Sequence, residues 1–204
     1  MIDIAHEIRH CMDATTRLLH VTENPLHAAM LRNYRRHVHL EGSGQFEKIV
    51  APDMMADDPV YRVNWGDDAI VVEGRDDVLA FYRSVSEAVL WNTANRLAVA
   101  DWGIADELTF HQLVTGNALA GRGFQIDDPD AYYHYESRQA FVWPYDEQAR
   151  LKGEHLYEDR SSIRIEPVAL ADVITPQQAA AIHLELLAEL DDEAAVPARR
   201  AGNR

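Results

Sequence analysis

After Ala88 the chain carries four long stretches, 90–102, 107–116, 131–144 and 151–166, rich in β-branched and aromatic residues. Turn chemistry separates them, at Gly103, over 121–130 and over 145–150. Strands of ten or more residues joined in this way pair antiparallel, and their twist accumulates into a curved sheet. A curved sheet has a concave face that something must fill. The chain before Ala88 supplies the filling. Ile4, Ile8, Cys11, Met12, Thr15, Leu18 and Leu19 recur at helical spacing, which predicts one helix over 2–20. Asn24-Pro25 starts a second, with Leu26, Met30, Leu31, Tyr34, His37 and Val38, and residues 41–44 end it. A short helix over 45–50 follows.

From Met54 the period changes to that of a hairpin, MMADDPVYRVN and AIVVEG, with turn chemistry over 64–68. Asp76 and Asp77 open a helix whose apolar face holds Val78, Leu79, Phe81, Tyr82 and Val85. Thr175-Pro176 starts a last amphipathic helix. Segregated helices and an antiparallel sheet make an α+β domain with a pocket between its layers.

A length of 204 residues fits one domain with extensions. The formal charge of −15 argues against nucleic acid or an anionic membrane as partner. Cys11 stands alone, so no intramolecular disulfide or Cys-rich zinc site forms. The opening MIDIAHEIRH lacks the apolar core of a signal peptide, and no apolar run approaches the roughly 18 residues of a bilayer span. A soluble, cytoplasmic protein is expected, with a mobile polar tail at the C-terminus.

The segment FEKIVAPDMMADDPVYRVNWGDDAIVVEGRDDVLAFYRSV and the later GEHLYED resemble the NTF2-like, or SnoaL-like, α+β cone superfamily. Its members include ketosteroid isomerase, scytalone dehydratase and polyketide cyclases. The resemblance covers about 26–166 and implies a cone domain over 26–168, a helical extension over 1–25, and a C-terminal helix and tail over 169–204. It also implies an apolar internal cavity, a homodimer, and chemistry on a hydrophobic small molecule without metal or organic cofactor. Such cones serve isomerases, dehydratases, lyases and non-catalytic binding or assembly modules alike.

The residues that could carry chemistry follow. Asp57-Asp58-Pro59-Val60 resembles the Glu-Asp-Pro-Val of the isomerases, which makes Asp58 the candidate base, and its spacing back to Tyr34 matches that of their oxyanion donor. Their third group, an acid on a later strand, has no counterpart in SRQAFVW, which offers Arg138 and Gln139. His155, Tyr157 and Asp159 share one strand face, and Asp159 is the candidate base by comparison with the cyclases. Glu154, Leu156 and Glu158 take the opposite face, and a register shift of one exchanges the two sets.

His111 is a candidate acid/base, with a hydrogen-bonded core histidine as the plainer reading. Tyr61 follows Asp58 as a phenolic donor. Tyr133, Tyr135, Trp143, Tyr157, Phe81 and Arg138 are candidate substrate contacts. His37, His39 and Glu41 do not converge at i and i+2 on a helix, and no metal site is expected. The expected function is a cofactor-independent acid/base enzyme of lyase, dehydratase or isomerase type. Its substrate would be an aromatic or polycyclic molecule, lignin-derived or polyketide-like.

Overall fold

The computed structural model describes residues 2–65, 68–86 and 88–195. Among these residues seven α-helices and six strands alternate as two blocks: α1 (Ile4–His10), α2 (Asp13–Val21), α3 (Pro25–Gly42), α4 (Phe46–Ile49), β1 (Val60–Trp65), β2 (Asp68–Glu73) and α5 (Arg75–Ser84), then β3 (Val89–Ala100), β4 (Gly103–Thr115), α6 (Gly116–Gly121), β5 (Tyr132–Pro144), β6 (His155–Pro167) and α7 (Pro176–Ala195). The tip of the predicted hairpin turn, 66–67, and the tail, 196–204, lie outside the described residues.

The predicted first helix is two. It breaks at Cys11–Met12, both buried, and the bend lets α1 and α2 bury separate faces. The caps of the longer helices follow the sequence. Asn24 Oδ1 accepts from the backbone of Leu26 and His27 ahead of Pro25. Thr175 and Gln178 close a reciprocal capping box at the start of α7. Between β4 and the expected loop over 121–130 the structure inserts α6, capped by the Thr115 hydroxyl, which the sequence reading did not anticipate.

One sheet runs in the order β2-β1-β6-β5-β4-β3. All neighbours are antiparallel except β1 and β6, which meet in parallel over Arg62↔His155, Val63↔Leu156 and Asn64↔Tyr157. β6 starts four residues later than predicted because 151–154 runs beside β1 instead, with Arg62 N–H donating to Glu154 O at 2.8 Å and Val60 N–H to Lys152 O at 2.9 Å. This approach needs Gly153: a Cβ there would lie 1.9 Å from Val60 O. The concave face is filled by α3, and the main core joins Met30, Leu31 and Tyr34 of that helix to Ile104, Leu108, Phe141 and Trp143 of the sheet. A second core packs α1 and α7 against Val89, Trp91 and Leu113 at the β3 end. No helix among the described residues is long and apolar enough to cross a membrane.

Candidate functional site

Alternation along β4 and β5 decides what reaches the cavity. Asp106 on β4 lies opposite Phe141, and Leu108 and Ile104 share its face. This places a carboxylate on an otherwise apolar wall. Tyr34 Oη, from α3, donates to Asp106 Oδ2 at 2.5 Å. Burial raises the Asp106 carboxyl to about 6, against the pull of Tyr34 and the Trp143 indole toward the charged form. The indole faces the acid without closing a hydrogen bond of regular geometry, since Trp143 Nε1 and Asp106 Oδ1 both stay unpaired. Trp143 stacks on Phe141 at 5.3 Å and packs its ring against Tyr34 and His37.

A second polar group forms where α3, α5 and the start of β6 meet. Tyr82 Oη donates to Glu154 Oε2 at 3.2 Å and lies 2.9 Å from both His37 Nε2 and Tyr61 Oη. Glu41, one turn after His37, brings Oε2 to 3.8 Å from its Nε2. Desolvation raises both carboxyls. Glu41 rises to about 7, and Glu154 rises well above the carboxylate range, with the Glu41 charge adding to its burial. His37 falls to about 3 for the same reason, so it is a neutral imidazole.

Tyr34, Glu41, Tyr82, Trp143 and Glu154 line a cavity of about 80 Å³ with apolar walls from Phe81, Phe110, Phe141 and Leu156. Its end toward α7 is closed by His183, whose ring occupies the place a Gly42 side chain would take and whose Nδ1 lies 3.1 Å from His39 Nδ1. Cys11 also touches the cavity, but burial lifts its thiol to about 12 and leaves it inert.

The structure distributes the sequence-predicted residues unevenly. Tyr34, Phe81 and Trp143 line the cavity, and Tyr61 stands fully buried behind Tyr82. Asp58 does not join them: it sits exposed in the bend before β1, because Pro59 rather than the acid turns inward. Asp159 and Arg138 face each other on the outer side of β6 and β5 in an ion pair at 2.5 Å, and Tyr157 is 46 % exposed beside them. The alternation predicted for β6 holds, with the opposite set inside: Glu154, Leu156 and Glu158 face the concave side. Tyr135 is also concave, yet it serves a separate cluster under α6 and donates to Glu158 at 2.6 Å; Tyr133 joins that cluster. His111 is buried on the outer face, 2.7 Å from Thr93 Oγ1.

The cavity residues Glu154, Glu41 and Tyr82, and Asp106 and His37 bonded behind them, were not singled out from the sequence. Asp106 carries a readable signal, a lone acid at even spacing among Ile104, Leu108 and Phe110. Tyr34, Val38 and Glu41 carry another, at i, i+4 and i+7 of one helix.

No protein-family model and no curated protein matches this sequence. Solved structures do. A computationally designed 17-OHP binder is 16% identical with a TM-score of 0.50, over 68% of this chain and 98% of its own. Rv0760c from Mycobacterium tuberculosis is 16% identical with a TM-score of 0.49, over 67% and 98%. SalBIII, described as an epoxide hydrolase/cyclase-like enzyme in pyran ring formation in polyether salinomycin, is 14% identical with a TM-score of 0.47, over 67% and 95%. A curved sheet in this strand order, closed over α3, decides the architecture. The fold is the NTF2-like cone. In this cone α1 and α7 pack together and against β3.

Proposed function

We propose that the cone is a cofactor-independent acid/base enzyme acting on a small apolar, aromatic molecule. The observation that carries this reading is the pair Glu41 and Glu154, two carboxyls that line one apolar cavity and are both raised by desolvation. The Glu41 charge raises Glu154, so the pair gives up its protons in two separate steps, and between them one carboxyl is protonated and the other ionised. A proton donor and a proton acceptor then face the same ligand, which is what isomerisation, elimination or cyclisation requires. Tyr82 couples the pair to His37, and Tyr34, held by Asp106 behind it, offers a second polar anchor in the cavity. An assembly or binding module would need no such pair.

The substrate class follows from the walls. Phe81, Phe110, Phe141 and Trp143 favour a flat ring. A volume of about 80 Å³ lies well below the roughly 300–1,000 Å³ of drug-sized sites. A single-ring compound suits it, and a polycyclic or diaryl substrate requires Phe81 and Val85 to give way. The expected homodimer belongs to the same proposal, with the outer face of β5 and β6 around Ala140 and Tyr157 as its contact. Sedimentation at micromolar concentration checks it, and a 23.1 kDa species alone would reject it.

The function is tested with a panel of small phenolic, diaryl and polyketide-like compounds. Those that bind are followed by NMR for chemical change with wild type and with Glu154→Gln. Conversion by wild type and not by the variant supports the proposal. Compounds that bind tightly and emerge unchanged would make the cone a binding protein.

A further inference from the structure

The outer face of the sheet holds a second polar cluster that the acid/base reading does not use. His111 on β4 and His134 and Glu136 on β5 come together there, with one candidate ligand atom from each lying within 4.8 Å of the others. His111 Nδ1 is 2.9 Å from His134 Nε2 and 3.8 Å from Glu136 Oε2. A tetrahedral ion with bonds of 2.0–2.1 Å separates its ligand atoms by about 3.4 Å, so these spacings bracket the required one. We propose that His111, His134 and Glu136 form a binding site for one divalent transition-metal ion, zinc in the first instance.

Three further features fit. Metal-bound imidazoles are commonly held by a hydrogen bond from the other ring nitrogen. His111 has this support: the tautomer that donates Nε2–H to Thr93 Oγ1, at 2.7 Å, leaves the Nδ1 lone pair facing the cluster. The rings are also held in orientation. Trp91 stacks with His111 at 5.2 Å and with His134 at 5.4 Å, with interplanar angles of 9° and 13°. The indole N–H is fixed in turn by Glu7 of α1, at 2.7 Å.

The field around the cluster is negative, since Glu7 and Glu166 act on His134 together with Glu136. Arg164 competes for Glu136, but it is exposed and holds the other carboxylate oxygen, Oε1, at 3.4 Å, which leaves Oε2 for the ion. Two imidazoles and one carboxylate leave at least one coordination position for water. An ion here would pin β4 to β5 and, through Trp91, hold α1 against the sheet.

The site is tested on the full chain, stripped with chelator and titrated with Zn²⁺ by calorimetry and with Co²⁺ by visible absorption. Wild type should bind one equivalent, show a ligand-field band with Co²⁺, and melt at a higher temperature with Zn²⁺. Glu136→Gln, which keeps the side chain's size, should weaken binding at least tenfold, and His134→Asn should abolish the band. The paired His6 and His10 on α1 are the control, because their rings also lie close, at 4.4 Å. The double variant His6→Gln/His10→Gln should retain the full equivalent. Wild type without stoichiometric binding, or binding that survives in His134→Asn and Glu136→Gln, would overturn the proposal.

Discussion

Strand β4 carries Asp106 onto the concave face, behind Tyr34, and His111 onto the outer face five residues later. Both side chains are buried, both sit among aromatic rings, and each meets a partner from another element. Burial acts on them in opposite directions. The inner site gathers acids, and desolvation makes them hold protons: Glu41, Glu154 and Asp106 all rise. The outer site gathers imidazoles beside a carboxylate that stays accessible. The same low-dielectric environment therefore produces proton donors on one side of the sheet and nitrogen lone pairs on the other. What separates two chemistries is an odd number of residues along one strand.

The sharpest way to break this comparison is to remove one carboxylate from each face. Glu154→Gln should lower turnover on a converted compound by roughly 10²–10⁴-fold, the usual worth of a positioned acid, with little change in melting temperature. Glu136→Gln should leave turnover unchanged. Equal losses would mean that the two faces are not independent.

The next effect concerns the rings that frame each site. Trp143→Ala and Trp91→Ala should each destabilise the fold by about 3–5 kcal/mol in denaturant titrations. These tryptophans are 4 % and 3 % exposed, so the outer one is as much a core residue as the inner one. A cheap Trp91→Ala would reduce the outer cluster to ordinary surface.

The dependence of stability on pH is a smaller effect with a definite sign. His37 and His39 lie near 3 and His183 near 4 in the folded chain, below the ordinary 6.5. The native state then binds fewer protons than the unfolded chain below pH 6.5, and stability falls as pH drops from there toward 3. Glu41 works the other way. Its rise from 4.5 to about 7 gives the native state an extra proton between those values, a contribution lost as pH rises through 7. Glu154 and Asp106, also raised, act in the same sense as Glu41, so melting temperature should vary less steeply with pH between 4.5 and 6.5 than below 4.5. Glu41→Gln should steepen the upper window, and an unchanged profile would remove Glu41 from the inner site.

The smallest effect is expected at Asp58. Asp58→Asn should change stability by less than about 0.5 kcal/mol and leave turnover intact, as for exposed positions generally. A large loss there would return the base to the place that the sequence resemblance assigns to it.

The comparison also shows what the sequence could and could not convey. Helix order, the hairpin, and the four long strands with their boundaries within a few residues were legible, because period and capping are local properties. The cavity residues were less so. For β6 the alternation was readable, yet its polarity was not: His155-Leu-Tyr-Glu-Asp has plausible candidates on both faces. Its register is set by contact with β1, far away in the chain. Asp58 was misplaced by a motif whose flanking proline fixes the backbone without fixing where the acid points. The outer cluster escaped because its ligands come from two strands, and no spacing within one segment encodes their meeting.

The parallel seam between β1 and β6 has a consequence for how the site comes into being. It joins residues near 62 to residues near 155, the widest separation in sequence of any strand pairing in the sheet. Long-range pairings bear the largest loop-closure entropy and form late. Glu154 is carried by that seam: its carbonyl accepts from Arg62, and the Gly153 before it lets the two backbones touch. A nascent chain with β3, β4 and β5 already paired has an apolar bowl that lacks Glu154. The chemistry proposed for this cone is thus gated by the completion of folding itself, because Glu154 reaches the cavity only with the last strand pairing.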